Sequence, residues 1–216
     1  MGSDLTVVNA ARVSFDKESI AYKVPNNDGS NTIVVLDSDA RLIRYLASHG
    51  HWTPFSHCQV TLRETVPVFV ARQRFKHTVG FTYNEVSRRY VDSEPSFYRP
   101  VAWRRRAENK KQGSSDDTVN LIDFDCRLTR PEYLEEQALS CYKELIRLGV
   151  APEQARMVLP QSMYTSYYVT GSLAAFARAY NLRSKPDAQL EIQELASAWN
   201  TLISPLYPQS WKALIS

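Results

Sequence analysis

Residues 69–92 read FVARQRFKHTVGFTYNEVSRRYVD. Pro67 lies two positions ahead, and its fixed φ suits the first turn of a helix. Val70 and Arg74 fall one turn apart, so VFVARQRF is expected to continue a helix that opens at Pro67. TVGFTYN (78–84) must loosen around Gly80. NEVSRRYV then brings Asn84, Glu85, Ser87, Arg88 and Arg89 into one short polar turn. Amide, hydroxyl and guanidinium donors together suit a phosphate carried on an oriented polar ring better than a smooth surface. Between Arg72 and Arg106 nine bases face three acids, an excess of six in a chain whose net charge is only +3. Such an excess favours a polyanion or a phosphate ester, the plain alternative being a solvated basic face. Arg104 to Arg106 border a polar loop and read as surface. His77, beside Lys76, reads as a hydrogen-bond donor to phosphate.

Outward from this stretch, Asp37 to His49 has apolar Leu42, Ile43 and Leu46 at helical spacing, with Asp37 or Ser38 as cap and Gly50 as the stop. Cys58 to Thr65 alternates as a half-buried strand does. ENKKQGSSDDT (108–118) reads as a solvated, mobile loop. Pro131 opens the clearest helix, its apolar face expected at Leu134, Ala138, Cys141, Leu145 and Leu148, and Gly149 ends it. Pro152 opens another, EQARMVL, stopped by Pro160. MYTSYYV is β-branched and aromatic, as a strand would be. Residues 172–182 and 187–203 read as two further helices. The sum is one α+β domain, a single mixed domain over 1–216, helix-rich with a small antiparallel sheet and a mobile insertion around 108–118.

The 216 residues, 44% apolar and 23% charged, suffice for one sizeable core. No apolar run is long enough to span a bilayer and the N-terminus has no secretory pattern, so a cytoplasmic protein is expected. Three cysteines without CxxC spacing argue for a reducing compartment and against a zinc site. Cys58 and Cys141 are expected to be buried and inert. The seven glycines are scattered, so neither a dinucleotide GxGxxG loop nor a Walker loop can be built. HGHWTPFSH carries His49, His51 and His57, but no acid lies between Leu42 and Leu62 to complete a metal centre. Structural or ligand-contacting histidines are preferred there, and no metal is expected. No nucleophile motif is present.

Four ordered blocks resemble one family. Residues 69–92, above all Asn84-Glu85-Val86-Ser87-Arg88-Arg89-Tyr90, resemble the signature of flavin-dependent thymidylate synthases. AARVS (10–14) and HGHWTPF (49–55) are similar to its N-terminal blocks; ARMVLPQSMYT (155–165) and NLRSKPDAQLEIQ (181–193) are similar to its C-terminal block. The signature is a variant, with Lys76-His77-Thr78 in place of Arg-His-Arg and eight rather than seven residues between Thr78 and Ser87. Ser172, Arg178 and Asp187 also stand where the family commonly has other polar residues.

The resemblance implies a methyltransferase that converts dUMP to dTMP with methylene-tetrahydrofolate, FAD and NADPH. It also implies a homotetramer with active sites between subunits. By the same resemblance Gln73, Lys76, Glu85, Ser87, Arg88, Arg89, Arg156 and Arg183 would hold dUMP. Ser14, Thr53, Ser56, Lys76, His77, Thr78, Ser172 and Arg178 would approach FAD, and His51 the folate or nicotinamide. Arg183 would be catalytic, its guanidinium favouring the uracil anion. The alternatives are another C5 modification of a pyrimidine nucleotide, such as hydroxymethylation, and a nucleic-acid-binding module using 72–106. Neither a membrane nor a nucleic acid is expected as partner.

Overall fold

The computed structural model describes residues 2–25, 31–91, 93–108, 113–121 and 126–216. Internal packing divides the chain into two compact units, Met1–Leu62 with His77–Thr82 and Val169–Ser216, and Arg63–Lys76 with Tyr83–Tyr168.

The first unit is chiefly helical. Helix α1 (Asp4–Arg12) is followed by a hairpin of β1 (Ala21–Pro25) and β2 (Asn31–Val35), which pair antiparallel from Ala21↔Val35 to Pro25↔Asn31. Helix α2 (Asp37–Ser48) forms where the periodicity predicts, and Gly50 takes φ +70° just past its end. Its cap is Leu36, one residue earlier than expected, and Asp37 and Asp39 occupy the first turn, where the helix dipole favours negative charge. The short α3 (Thr53–Ser56) leads into strand β3 (Gln59–Pro67). Further along the chain come β7 (Tyr164–Ser172), α7 (Leu173–Arg183), α8 (Leu190–Ile203) and α9 (Pro208–Ile215). Val7, Ile43, Phe55, Leu173, Phe176, Ile192, Trp199, Ile203 and Trp211 are buried and make this unit's core. Asp4 ties α1 to α9: its carboxylate accepts the backbone N–H groups of Gln209 (2.8 Å) and Ser210 (2.9 Å), capping the last helix from the far end of the sequence. Cys58 is buried as expected, and burial pushes its thiol up to about 11.

Strand β7 lies between β3 and β4 (Phe81–Glu85) in a three-stranded sheet. Hydroxyl pairs Thr61–Thr170 (2.9 Å) and Thr65–Ser166 (2.6 Å) run in opposite sense along β3 and β7, so that pair is antiparallel. The stretch expected to loosen, 78–84, overlaps β4 from Phe81 onward. In fact the loosening is confined to the turn before Gly80, which takes φ +79°.

In the second unit, α4 (Val68–Arg74) follows β3 directly, and Pro67 is its cap rather than its first residue. Arg74 is fully buried: its Nε donates to Glu64 at 3.1 Å and its Nη1 to the Tyr83 hydroxyl at 2.6 Å. Arg99 is paired with Glu135 at 3.2 Å. Two of the nine bases counted toward a polyanion surface are therefore neutralised within the fold. Burial, reinforced by Glu64, pushes the Tyr83 phenol up to about 12 and that of Tyr167 further still.

Helix α5 (Pro131–Arg147) has its expected bounds but turns a different face inward. Glu135 and Tyr142 are buried, whereas Leu134, Cys141 and Leu148 are exposed. Glu135 is accommodated because it accepts from Arg99 and from the Ser162 hydroxyl. The helix expected over 152–159 is shorter, α6 (Pro152–Ala155) passing into a 3-10 turn at Arg156–Val158. The loop expected over 108–118 is in part a strand: β6 (Ser114–Val119) pairs antiparallel with β5 (Trp103–Arg106), and Arg104 Nε donates to Ser114 Oγ at 2.7 Å. Residues 109–112 lie outside the described residues.

Candidate functional site

Helix α7 begins because Ser172 accepts the Ala175 N–H at 3.2 Å through its side chain, a standard N-cap. Positions 174, 177, 178 and 181 recur at i, i+3, i+4 and i+7 and so share one face. That face lines a cavity of about 570 Å³ in the first unit, together with Ser172, Trp52, Ser56, Gln59, Val79, Gly80 and Leu214. Its wall is mostly apolar, with a few polar groups at fixed positions, the usual make-up of a small-molecule site. The segment 77–80 is fastened to the same helix. Arg178 Nη2 donates to the Val79 carbonyl at 2.7 Å, the Ser172 N–H donates to the Gly80 carbonyl at 3.2 Å, and Arg183 Nε meets His77 Nε2 at 2.9 Å. A Cβ on Gly80 would stand 3.0 Å from the Ala175 methyl, and its φ of +79° would strain any other side chain, so glycine suits this close passage.

The second unit carries the polar turn after β4. Ser87 Oγ accepts Arg89 Nε at 3.2 Å, Arg89 lies 5.1 Å from the Tyr90 ring centroid, and Arg88 Nη1 is bonded to the Ser93 carbonyl. Glu85 accepts the Thr165 hydroxyl at 2.6 Å. Arg156 is exposed and its Nε donates to the Glu153 carbonyl at 3.3 Å.

A family model for thymidylate synthase complementing protein matches residues 1–209. A flavin-dependent thymidylate synthase of Thermosipho africanus is 35% identical over 100% of this chain and 87% of its own length. This chain belongs to the flavin-dependent thymidylate synthase family. A second relative of that name, from Thermus thermophilus, is 36% identical over 99% of this chain and 72% of its own. Among solved structures, a UMP/dUMP methylase, PolB from Streptomyces cacaoi bound with 5-Br dUMP, superposes with a TM-score of 0.79 at 31% identity. It covers 99% of this chain and 90% of that one. The same methylase bound with 5-Br UMP gives the same TM-score.

For a flavin-dependent thymidylate synthase, the expected site residues distribute unevenly. Ser56, Ser172 and Arg178 are gathered on the α7 cavity. Ser14 and Thr53 are exposed and lie outside its lining. His77 meets Arg183, so its Nε2 accepts from a guanidinium where a donor to phosphate was expected. Thr78 is exposed beside Gly80, and His51 is stacked on Tyr45 at 6.2 Å. Gln73, Lys76, Glu85, Ser87, Arg88, Arg89 and Arg156 belong to the second unit, and Arg183 to the first. The cavity also presents Trp52, Gln59 and Asn181, which the sequence reading missed. Trp52 stands inside the HGHWTPF block, where a large aromatic ring among polar residues is the available signal, and the structure leaves it exposed.

The α7 cavity fits a flavin group chemically. Trp52 and the small apolar wall suit a flat ring, while the Arg178 guanidinium suits an anionic group. Among the described residues no group of three or more His, Cys, Asp or Glu could hold a metal ion, and no helix is long and apolar enough to cross a membrane.

Proposed function

We propose that this protein reductively methylates C5 of dUMP to give dTMP, taking a one-carbon unit from methylene-tetrahydrofolate and two electrons from NADPH through FAD. The electrons balance on this route: a methylene carbon becomes a methyl group by gaining a hydride equivalent, which the reduced flavin would supply, while the C5 proton leaves and tetrahydrofolate is released. The reading is carried by one observation, the gathering of Ser56, Ser172 and Arg178 on a single cavity in a chain of this family. Bound there, the flavin would supply the reducing equivalents.

The chain's own residues bind and orient. Arg89, exposed and braced by Ser87, would pair with the dUMP phosphate, with Arg156 as its counterpart. Gln73, Lys76, Glu85, Ser87 and Arg88 would contact the nucleotide. Arg183 would lie against the uracil and favour the anion formed as N3 loses its proton, a contribution of a few kcal/mol in a water-poor site. Ser14, Thr53 and Thr78 would close on the flavin, and His51 on the folate or nicotinamide. The active unit would be a homotetramer with sites between subunits.

A second reading concerns the sugar. The structural neighbour is a methylase of both UMP and dUMP, which supports UMP as an additional substrate here. One experiment tests both. The purified protein, loaded with FAD, is titrated with dUMP and separately with UMP while its visible spectrum is recorded. A flavin band perturbed by dUMP is the expected result, and a band perturbed by UMP as well would extend the substrate to the ribonucleotide. A protein that fails to take up FAD overturns the proposal. Binding to nucleic acid instead would show as an affinity falling steeply with salt.

A further inference from the structure

The resemblance places His77 beside the flavin, but its hydrogen bonding assigns it another task. Arg183 Nε and His77 Nε2 are 2.9 Å apart. A guanidinium carries only donors and keeps its charge at any working pH. The imidazole nitrogen facing it must therefore offer a lone pair, which fixes His77 as the neutral ring with its proton on Nδ1. The other tautomer would set two N–H groups against each other, and an imidazolium would set two cations against each other.

The placement of this pair comes from the backbone. Arg183 is the last residue of α7, where an unrestrained arginine would sweep many rotamers. His77 comes from the segment that α7 holds through the Val79 carbonyl, the Gly80 carbonyl and the close approach of Gly80 to Ala175. The imidazole is thus delivered by a fixed turn, and its Nε2 grips the guanidinium at the nitrogen nearest the stem. Restraint at Nε sets the plane of the whole group, since the guanidinium is rigid.

We infer that His77 is a positioning residue for Arg183: its neutral Nδ1–H tautomer accepts the Arg183 Nε–H and fixes the guanidinium plane that meets the pyrimidine. The role of Arg183 at the pyrimidine rests on the function proposed above. The contact itself does not.

Two measurements test this. Nitrogen-15 histidine spectra of the full chain, with His77 assigned by its loss in His77→Gln, should show the Nδ1–H tautomer at neutral pH. In Arg183→Ala that preference should disappear. A wild-type His77 that is Nε2-protonated or charged overturns the inference. In turnover assays His77→Leu should lower kcat by about ten-fold or more, with flavin content and KM for dUMP little changed. His77→Gln, whose amide oxygen can still accept, should recover most of the loss. Equal losses in the two variants, unchanged kcat in His77→Leu, or loss of flavin from it would each overturn the positioning role. The tautomer measurement needs neither flavin nor substrate. A wild-type protein inactive on dUMP would therefore sink the proposed reaction, while the spectra alone decided the His77–Arg183 contact.

Discussion

Gly171 is buried in β7, and a Cβ built on it would stand 2.4 Å from Cδ1 and 2.5 Å from Cε1 of Phe81. Phe81 cannot swing away cheaply, because its ring packs edge-on against Phe176 with centroids 5.0 Å apart. Gly171→Ala should therefore cost about 1–3 kcal/mol through overpacking, read as a lower denaturation midpoint at unchanged m-value. Phe81→Leu in the same chain should return part of it, and a Gly171→Ala protein as stable as wild type would refute the close contact. Little of this could be read from sequence, where Gly171 was only one of seven scattered glycines. Arg74 teaches the same lesson. In the sequence it is one base among nine, yet in the fold it is buried against Glu64 and Tyr83, ten and nine residues away. Local charge counting cannot see a partner on the preceding strand. Arg183 stands out in the sequence by its NLR context, but its contact with His77, 106 residues away, leaves no local trace.

At the level of elements, Ser172 joins β7 to α7 and caps the helix whose face lines the cavity. Ser172→Ala removes the acceptor for the Ala175 N–H and should lower stability by about 1 kcal/mol. A denaturant titration checks it, and no loss would mean that the cap is not needed. Helices with a period and a stop signal were legible: α2 with Gly50, α5 with Pro131 and Gly149, α7 and α8 nearly whole. The face of α5 was not, because Glu135 is buried only by virtue of Arg99 and Ser162, partners distant in sequence. Helix α9 was missed for a similar reason, since the group that caps it is Asp4. The β5–β6 hairpin was missed because a Ser- and Asp-rich strand has the composition of a loop.

For the whole molecule, the acids that burial raises, Cys58, Tyr83, Tyr167 and Tyr207, bear on the alkaline limit. Burial raises Cys58 from 9.0 to about 11, and Tyr83 and Tyr207 from 10.0 to about 12. Between each pair of values the folded chain holds a proton that the unfolded chain has released, so stability falls as pH rises. Their contribution is fully present below about pH 9 and is lost progressively toward about pH 12. Denaturation midpoints measured across that range should fall, and Cys58→Ala should flatten the slope between about pH 9 and 11. A midpoint independent of pH there would contradict the burial of these groups. The order in which the two units are written into the chain has a further consequence. A ribosome that has added Tyr168 has joined every residue of the second unit, while the first still lacks Val169–Ser216. The end of β7 and the three helices in that last stretch supply much of the first unit's interior, including Leu173, Trp199 and Trp211. During synthesis, then, helices α1 and α2 have no α7, α8 or α9 to pack against until those are made, and the cavity on α7 cannot form before them.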